Sequence, residues 1–398
     1  MRARRRARGR RIGLALAGGG PEGAVYEIGA LRALEESLAG LDLNDLHVYV
    51  GVSAGAFVAA GLVNGITTAQ MARALVKHRP GQHPFEPGTF FTPAYREWAR
   101  RSLMLPKLLA DVARKLAKHP GDQSLFSALT RLARALPVGI FDNEPIRRFL
   151  AGSFALPGRS DDFRALPHKL VVVATDLGTG RTIRFGEDGW DHVPISTAVQ
   201  ASTALPGIYP PVHVQGHDCV DGVLLRTVHA SVALEAGADL LLCVNPLVPA
   251  DLGRIAAGST NGTIVKKGLP TVLSQTFRTL IHSRLQVGMA TYAKRFPDAD
   301  VLLFEPSRDE YTMFFTNMFS FSARRKVCEL AYQSTRRHLR ERRAELRPAL
   351  ARAGITFRDH LLDDEQRTVW DGVGVKDRTT PVGAKLGKAL AQLEEALG

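Results

Sequence analysis

Cysteine and long hydrophobic runs are both scarce in this sequence of 398 residues. The three cysteines, Cys219, Cys243 and Cys328, are too few and too widely spaced for a disulfide framework or a zinc site, which predicts a reducing compartment. No uninterrupted apolar stretch reaches the ~18 residues that a membrane-spanning helix needs. These absences predict a cytoplasmic protein that contacts a membrane at most peripherally.

Positive charge is present in excess and is unevenly placed. The formal net charge is +13, with one arginine-rich stretch at residues 1–11 and a second basic concentration at residues 324–352. Such clusters attract anionic lipid head groups or nucleic acid. A disordered tail and the solvated face of a helix explain both clusters without a partner, so nucleic-acid binding is not predicted. Peripheral contact with an anionic membrane stays open.

A Gly-x-Ser-x-Gly sequence at residues 51–55 organises the chain. An apolar run precedes it, and an Ala/Phe/Val segment with helix character follows. This pattern predicts a strand, a sharp turn with Ser53 at its apex, and a helix whose N-terminus favours negative charge. Gly51 and Gly55 let the chain turn without a Cβ clash. A plain strand-to-helix turn with an exposed serine is the alternative.

A second glycine-rich turn follows an apolar strand predicted at residues 12–17. Gly18, Gly20 and Gly23 formally satisfy the G-x-G-x-x-G pattern of dinucleotide sites. That pattern also needs an acidic residue at the end of the second strand, and here the second strand ends in the serine turn instead. Consecutive glycines expose backbone N–H groups, so this turn is better suited to stabilising an oxyanion formed at Ser53.

Asp221 and Gly222 close a predicted hairpin. Asp-Gly is a common turn pair, which is the simpler interpretation. The functional interpretation is a carboxylate at the sheet edge that acts as the base for Ser53. A Ser-His-Asp triad that uses His229 or His282 is a rival arrangement, although neither histidine follows a recognisable strand.

The rest of the chain alternates between helical and extended patterns. Amphipathic helices are predicted at 68–77, 95–118 and 125–136, with a further helix starting near Asp142. Strands are predicted at 169–175, 181–185, 238–244 and 300–304, and helices at 195–202 and 264–296. A segment rich in Phe and Met at 311–321 is either a cap on the core or a membrane-inserting patch. A short helix is predicted near 384–397.

Four of these segments, in this order and spacing, resemble the motifs of the patatin-like phospholipase family. They are residues 18–23, 51–55, 201–206 (Ala-Ser-x-Ala-x-Pro) and 221–222. The resemblance covers roughly residues 12–247. It implies an α/β fold, a three-layer α/β/α sandwich with a mainly parallel central sheet, a helical insertion and a C-terminal helical extension.

The resemblance also implies an activity and a site. The activity is hydrolysis of acyl esters of lipids by a Ser-Asp dyad, through an acyl-enzyme and without a metal or another cofactor. By position, Ser53 is the nucleophile and Asp221 the general base. The oxyanion loop is formed by Gly18, Gly19 and Gly20, and the supporting motif glycines are Gly23, Gly51, Gly55 and Gly222.

The predicted organisation of the chain has four parts. Residues 1–11 form a basic disordered tail, and residues 12–247 form the catalytic domain with its helical insertion at about 66–163. Residues 248–353 form an extension of helices and a strand that packs on the core. Residues 354–398 form a polar tail with a short helix.

Two positions depart from the family pattern. Glu22 stands where the family usually has Arg or Lys, and Val223 stands where Gly or Ala is common. A carboxylate facing an oxyanion would oppose it, so we expect Glu22 to point away from the site and to pair with a nearby cation. A catalytically silent lipid-binding protein with the same fold is the alternative function.

Overall fold

A central sheet organises the computed structural model, which describes residues 10–75, 87–118, 132–249, 268–307 and 321–373. Its strands are β1 (Ile12–Leu16), β3 (Val48–Val52), β4 (Lys169–Asp176), β5 (Thr182–Phe185), β6 (Val212–Val214), β7 (His217–Asp221), β8 (Leu240–Val244) and β9 (Asp300–Phe304). Among the described residues these eight strands follow the order β6-β7-β4-β3-β1-β8-β9, with β5 paired to β4.

The middle of the sheet is parallel and is buried on both faces. Parallel pairs join β4 to β3, β3 to β1, β1 to β8, and β8 to β9, whereas β5 and β7 run antiparallel to β4. Side chains along β1 alternate between two hydrophobic clusters, with Leu14 and Leu16 in one and Ala15 and Ala17 in the other. Continuous apolar strands of this kind require helices on both faces.

Helices supply both outer layers. They are α1 (Gly20–Ser37), α2 (Ala54–Val63), α3 (Thr68–Ala74), α4 (Tyr95–Lys118), α5 (Glu144–Phe154), α6 (Ile195–Ser202), α7 (Ala230–Glu235), α8 (Leu269–Arg295), α9 (Phe321–Glu341), α10 (Arg343–Arg352) and α11 (Asp359–Leu362). Residues of α1, α2, α5, α6 and α9 join the cluster on one face, and residues of α7 and α8 join the cluster on the other. The predicted three-layer α/β/α sandwich is thereby confirmed.

Most local predictions agree with these bounds. The helix expected at 95–118, the helix at 195–202 and the strand at 300–304 have the bounds that the sequence predicts. The helix expected at 68–77 ends at Ala74, and the helix that starts near Asp142 is α5. Most of the helix expected at 125–136 lies outside the described residues. Residues 1–9 of the basic tail, 311–320 of the Phe-rich segment and the helix near 384–397 also lie outside them.

Two strands meet end to end along one edge of β4, and this arrangement builds the site. Val52, the last residue of β3, pairs with Val173, and Asp221, the last residue of β7, pairs with the next residue, Ala174. β5 occupies the opposite edge of β4 at both positions. β3 and β7 therefore lie on the same edge and point their C-terminal ends at each other.

The described part of the C-terminal segment, residues 354–373, packs near the end of α1. Helix α9 crosses α1 where a Cβ at Gly29 would stand 2.2 Å from the carbonyl oxygen of Cys328. Further on, β10 (Thr356–Phe357) pairs with β2 (Leu38–Ala39), and Leu362 and Trp370 are buried. Spaced apolar side chains of residues 355–373 therefore join the core cluster, although the segment is polar on average.

Two further findings concern the cysteines and the helices. Cys219, Cys243 and Cys328 are buried free thiols. Among the described residues, no helix combines the length and the hydropathy required to cross a bilayer.

Candidate active site

Ser53 occupies a strained turn between β3 and α2. Its φ is 53° and its ψ is −121°, a backbone conformation that residues with a side chain rarely adopt. The N–H of Gly55 donates to the carbonyl oxygen of Ala17 at 3.0 Å, which fixes the turn against the end of β1. A Cβ at Gly55 would stand 2.5 Å from that oxygen, so only glycine permits the contact. The predicted strand, turn and helix are confirmed.

Asp221 lies beside this serine and is 3% exposed. One carboxyl oxygen accepts the N–H of Val223 at 2.9 Å. Burial raises the pKa of Asp221 to about 7, although the Val223 N–H and the neighbouring Ser53 hydroxyl lower it. The backbone N–H of Asp221 donates to the carbonyl oxygen of Ala204 at 3.0 Å, which links the residue to the segment after α6.

Ser202 lies at the junction where the C-terminal ends of β3 and β7 meet. Its hydroxyl accepts the backbone N–H of Ser53 at 2.8 Å and donates to the carbonyl oxygen of Val173 at 2.6 Å. Both groups lie at the junction of the two strands, where the sheet ladder is interrupted. The sequence singles out this serine as part of a motif, but its partners lie 149 and 29 residues away and only the fold identifies them.

The glycine-rich turn lies against the serine. A Cβ at Gly18 would stand 3.1 Å from the Cβ of Ser53, so the two backbones are close. Gly20 has a φ of +62°, and a Cβ at Gly19 would stand 2.8 Å from the Cα of Gly23. Within the part of the chain that the structure describes, the N–H groups of residues 18–20 donate to no other protein group. These donors remain available for an oxyanion.

The other motif glycines allow close backbone contacts around the site. A Cβ at Gly51 would stand 2.4 Å from the Cα of Ala56, and a Cβ at Gly222 would stand 2.4 Å from the carbonyl oxygen of Val173. Both distances are too short for any side chain. Gly51 therefore lets β3 pack closely against the first turn of α2, and Gly222 lets the Asp221 turn pack closely against β4.

Glu22 pairs with a cation from a distant helix. Its carboxylate lies 3.8 Å from the guanidinium of Arg278 on α8. Burial raises the pKa of Glu22 to about 7, and Arg278 opposes this shift. The expected pairing of Glu22 is confirmed, and the cation comes from a helix that the sequence motifs do not include.

Neither candidate histidine, His229 or His282, is placed to act as a base for Ser53. The Nε2 of His229 lies 3.1 Å from the carbonyl oxygen of Gly222, so this nitrogen donates. Burial lowers the pKa of His229 to about 4, which keeps the ring neutral. His282 pairs with Glu305 at 3.7 Å. His229 supports the Asp221 turn, a role that its sequence position does not indicate.

A strained serine, a buried carboxylate and a loop of free N–H donors on an α/β/α sandwich form the kind of site that serine acyl hydrolases use. The chain belongs to the patatin-like phospholipase family, whose sequence model matches residues 14–234, more than half of the chain.

Relatives among curated proteins match over part of their length. An uncharacterized NTE family protein of Mycobacterium tuberculosis is 26% identical over 244 residues, which cover 61% of this chain and 31% of the relative. A second such protein of that species is 32% identical over 80 residues, or 20% of this chain and 21% of the relative. The chain thus spans about a third of the first relative.

Solved structures show more distant likenesses. VipD from Legionella pneumophila is 14% identical with a TM-score of 0.37, over 84% of this chain and 67% of VipD. ExoU in complex with SpcU, from the type III secretion system of Pseudomonas aeruginosa, is 14% identical with a TM-score of 0.34. The match covers 84% of this chain and 53% of the matched chain. Likenesses this distant carry no information on the activity or the partners of this chain.

Proposed function

We propose that this protein hydrolyses acyl esters of lipids, with Ser53 as nucleophile and Asp221 as general base. The observation that carries the proposal is the buried carboxyl of Asp221 beside the strained Ser53. A serine hydroxyl is a weak nucleophile until a neighbouring base removes its proton. A carboxyl whose pKa is about 7 can accept that proton near neutral pH, which an exposed aspartate does poorly.

The first half-reaction forms an acyl-enzyme. As the Ser53 oxygen bonds to the ester carbonyl carbon, its proton passes to Asp221 and the carbonyl oxygen becomes an oxyanion. The N–H groups of Gly18, Gly19 and Gly20 are the available donors for this oxyanion, and one such donor is worth about 2.7–4 kcal/mol of barrier. When the carbon–oxygen bond to the leaving group breaks, Asp221 returns the proton to the departing alcohol or lysolipid.

The second half-reaction regenerates the site. Asp221 accepts a proton from a water molecule as that water attacks the acyl carbon. The resulting tetrahedral intermediate collapses, the bond to the Ser53 oxygen breaks, and the proton on Asp221 passes back to that oxygen. The fatty acid leaves, and no step requires an added reactant besides water.

Membership of the family favours lipid esters as the substrate class, and we extend the proposal to peripheral action on lipid surfaces from the cytoplasm. Glu22 beside the glycine loop is the observation that favours the second candidate, a silent lipid-binding protein. The pairing with Arg278 weakens that case, because the carboxylate then faces a cation.

Hydrolysis of p-nitrophenyl esters of graded chain length tests the proposal. We expect Ser53→Ala and Asp221→Asn each to lower the rate by at least about a thousandfold. The matched control is Ser196→Ala, which removes a buried serine on α6 that bonds to Asp161 and leaves the site untouched. Circular dichroism shows whether each variant is folded.

The outcomes separate the candidates. Activity in the native protein that disappears in the Ser53 and Asp221 variants but persists in the control supports the dyad. No activity in a folded native protein that still binds liposomes favours the silent candidate. Activity that survives Asp221→Asn but is lost in His229→Ala favours a triad.

A further inference from the structure

Helix α8 spans the two sides of the site. On the side of the glycine loop, Arg278 pairs with Glu22. On the side of Asp221, the carbonyl oxygen of Ile281 accepts the hydroxyl of Thr227 at 3.1 Å. Arg284 then donates to the carbonyl oxygen of Leu224, three residues after Asp221. Six residues of a helix rise about 9 Å, so about one and two-thirds turns of α8 bridge the two edges of the site.

The inner face of α8 is packed, and its outer face is apolar as well. Leu285 and Tyr292 are buried in the hydrophobic cluster that covers the sheet. Four large apolar side chains on the outer face are exposed. They are Leu273 (45% exposed), Phe277 (47%), Leu280 (54%) and Val287 (67%). Their spacing, i, i+4, i+7 and i+14, places them in one stripe.

Single exposed apolar residues are ordinary on protein surfaces, but a stripe of four along one helix marks an interaction surface. We call these four residues the outer stripe. A helix that is apolar on two separate faces needs a second apolar environment besides its own core. The question is which partner covers the outer stripe.

Charge identifies the partner. Helix α8 contains Arg278, Arg284, Lys294 and Arg295 and no Asp or Glu in its 27 residues. Arg278 is paired with Glu22, whereas Arg284, Lys294 and Arg295 are exposed, although Arg295 also pairs with Glu235. A helix with exposed cations and an exposed apolar stripe fits an anionic lipid surface, which attracts the cations and takes up the apolar side chains. A second copy of this chain fits poorly, because the stripe is interrupted by Arg284 at i+11 and the net charge is +13.

We propose that the outer stripe of α8 docks this protein on an anionic lipid surface and holds the Ser53 site at that surface. The proposal rests on the proposed function, since a lipid substrate is what makes a bilayer the expected partner. It explains why one helix both borders the site and exposes an apolar stripe. The contacts of α8 to Glu22, Leu224 and Thr227 couple the docked helix to both edges of the site.

Vesicle co-sedimentation of the full chain tests the proposal. All proteins carry Ser53→Ala so that lipid is not consumed, and the vesicles contain phosphatidylcholine with or without phosphatidylglycerol. The test variant is Leu273→Ser with Leu280→Ser. The matched control is Leu156→Ser with Leu177→Ser, two leucines in turns elsewhere on the surface that are 48% and 56% exposed. Thermal unfolding by circular dichroism verifies that each variant is folded.

We expect binding that requires phosphatidylglycerol and weakens with added salt. The test variant should partition into vesicles at least about tenfold less than the parent, because each leucine loses its buried apolar area. The control should bind like the parent. Equal binding of test and control variants, or no binding of the parent to phosphatidylglycerol vesicles, would overturn the proposal.

Light scattering after size-exclusion chromatography tests whether the outer stripe binds a second copy of this chain instead of lipid. A dimer that the test variant converts to a monomer would assign the outer stripe to self-association and overturn the lipid proposal. Binding is read without turnover, so it is independent of catalysis. Stripe-dependent binding together with an inactive native enzyme would leave docking intact and reject only the proposed hydrolysis.

Discussion

At the scale of single residues, burial of the Asp221 carboxyl decides when the proposed base is ionised. Its pKa is raised to about 7, and the carboxyl must be ionised to accept the Ser53 proton. We therefore expect kcat/KM for a soluble ester to rise about tenfold per pH unit below that pKa and to level off above it. A pH–rate profile over about pH 5 to 9 measures this.

A second carboxyl with a similar pKa supplies the control. Burial also raises the pKa of Glu22 to about 7, with Arg278 opposing the shift. The variant Glu22→Gln removes that titration and should keep the same profile if Asp221 is the base. A profile that flattens in this variant would assign the pH dependence to Glu22.

At the scale of elements, helix α6 ties the Ser53 turn to strand β4 through Ser202. The variant Ser202→Ala leaves the N–H of Ser53 and the carbonyl of Val173 without this partner. We expect a loss of about 1–3 kcal/mol in the free energy of unfolding, as for any buried polar group left unpaired. We also expect kcat to fall with little change in KM, because the serine turn is no longer held.

Ser196→Ala on the same helix separates positioning from stability. Ser196 is buried and bonds to Asp161 at 2.7 Å, so its loss costs a comparable amount of stability. Its effect on kcat should be small, because Asp161 does not touch Ser53. Equal losses of kcat in the two variants would show that Ser202 acts through general stability. Urea unfolding and ester kinetics supply both readouts.

At the scale of the whole molecule, we expect residues 355–373 to unfold together with the sheet, because their apolar side chains join its core cluster. Arg336 on α9 is fully buried and donates to four backbone carbonyls, those of Leu361, Leu362, Asp364 and Arg367. The variant Arg336→Met removes these bonds and should lower the free energy of unfolding by about 2–5 kcal/mol.

Arg73 on α3 is exposed and provides the comparison. Arg73→Met should change the free energy of unfolding by no more than about 0.5 kcal/mol. Urea unfolding followed by circular dichroism measures both values. A single unfolding transition whose midpoint shifts to lower urea in Arg336→Met supports one cooperative unit of segment and sheet. A separate early transition would show that the segment unfolds by itself.

The sequence alone predicts those parts of the structure that depend on short stretches of chain. The Ser53 turn is predicted because glycines at 51 and 55 are the local chemistry that a strand-to-helix turn needs. The helices at 95–118 and 195–202 follow from periodicity, which neighbouring residues determine. The fold class follows from the order of the motifs and is confirmed by the family match.

Only the tertiary structure decides which distant groups meet. The end-to-end approach of β3 and β7 places Asp221 beside Ser53 and raises its pKa, because burial depends on the whole sheet. The same holds for the bridge through Ser202 and for the Arg278 partner of Glu22. Each of these contacts joins residues on different elements. The distance between two elements is set by how they pack, so a local sequence pattern does not predict it.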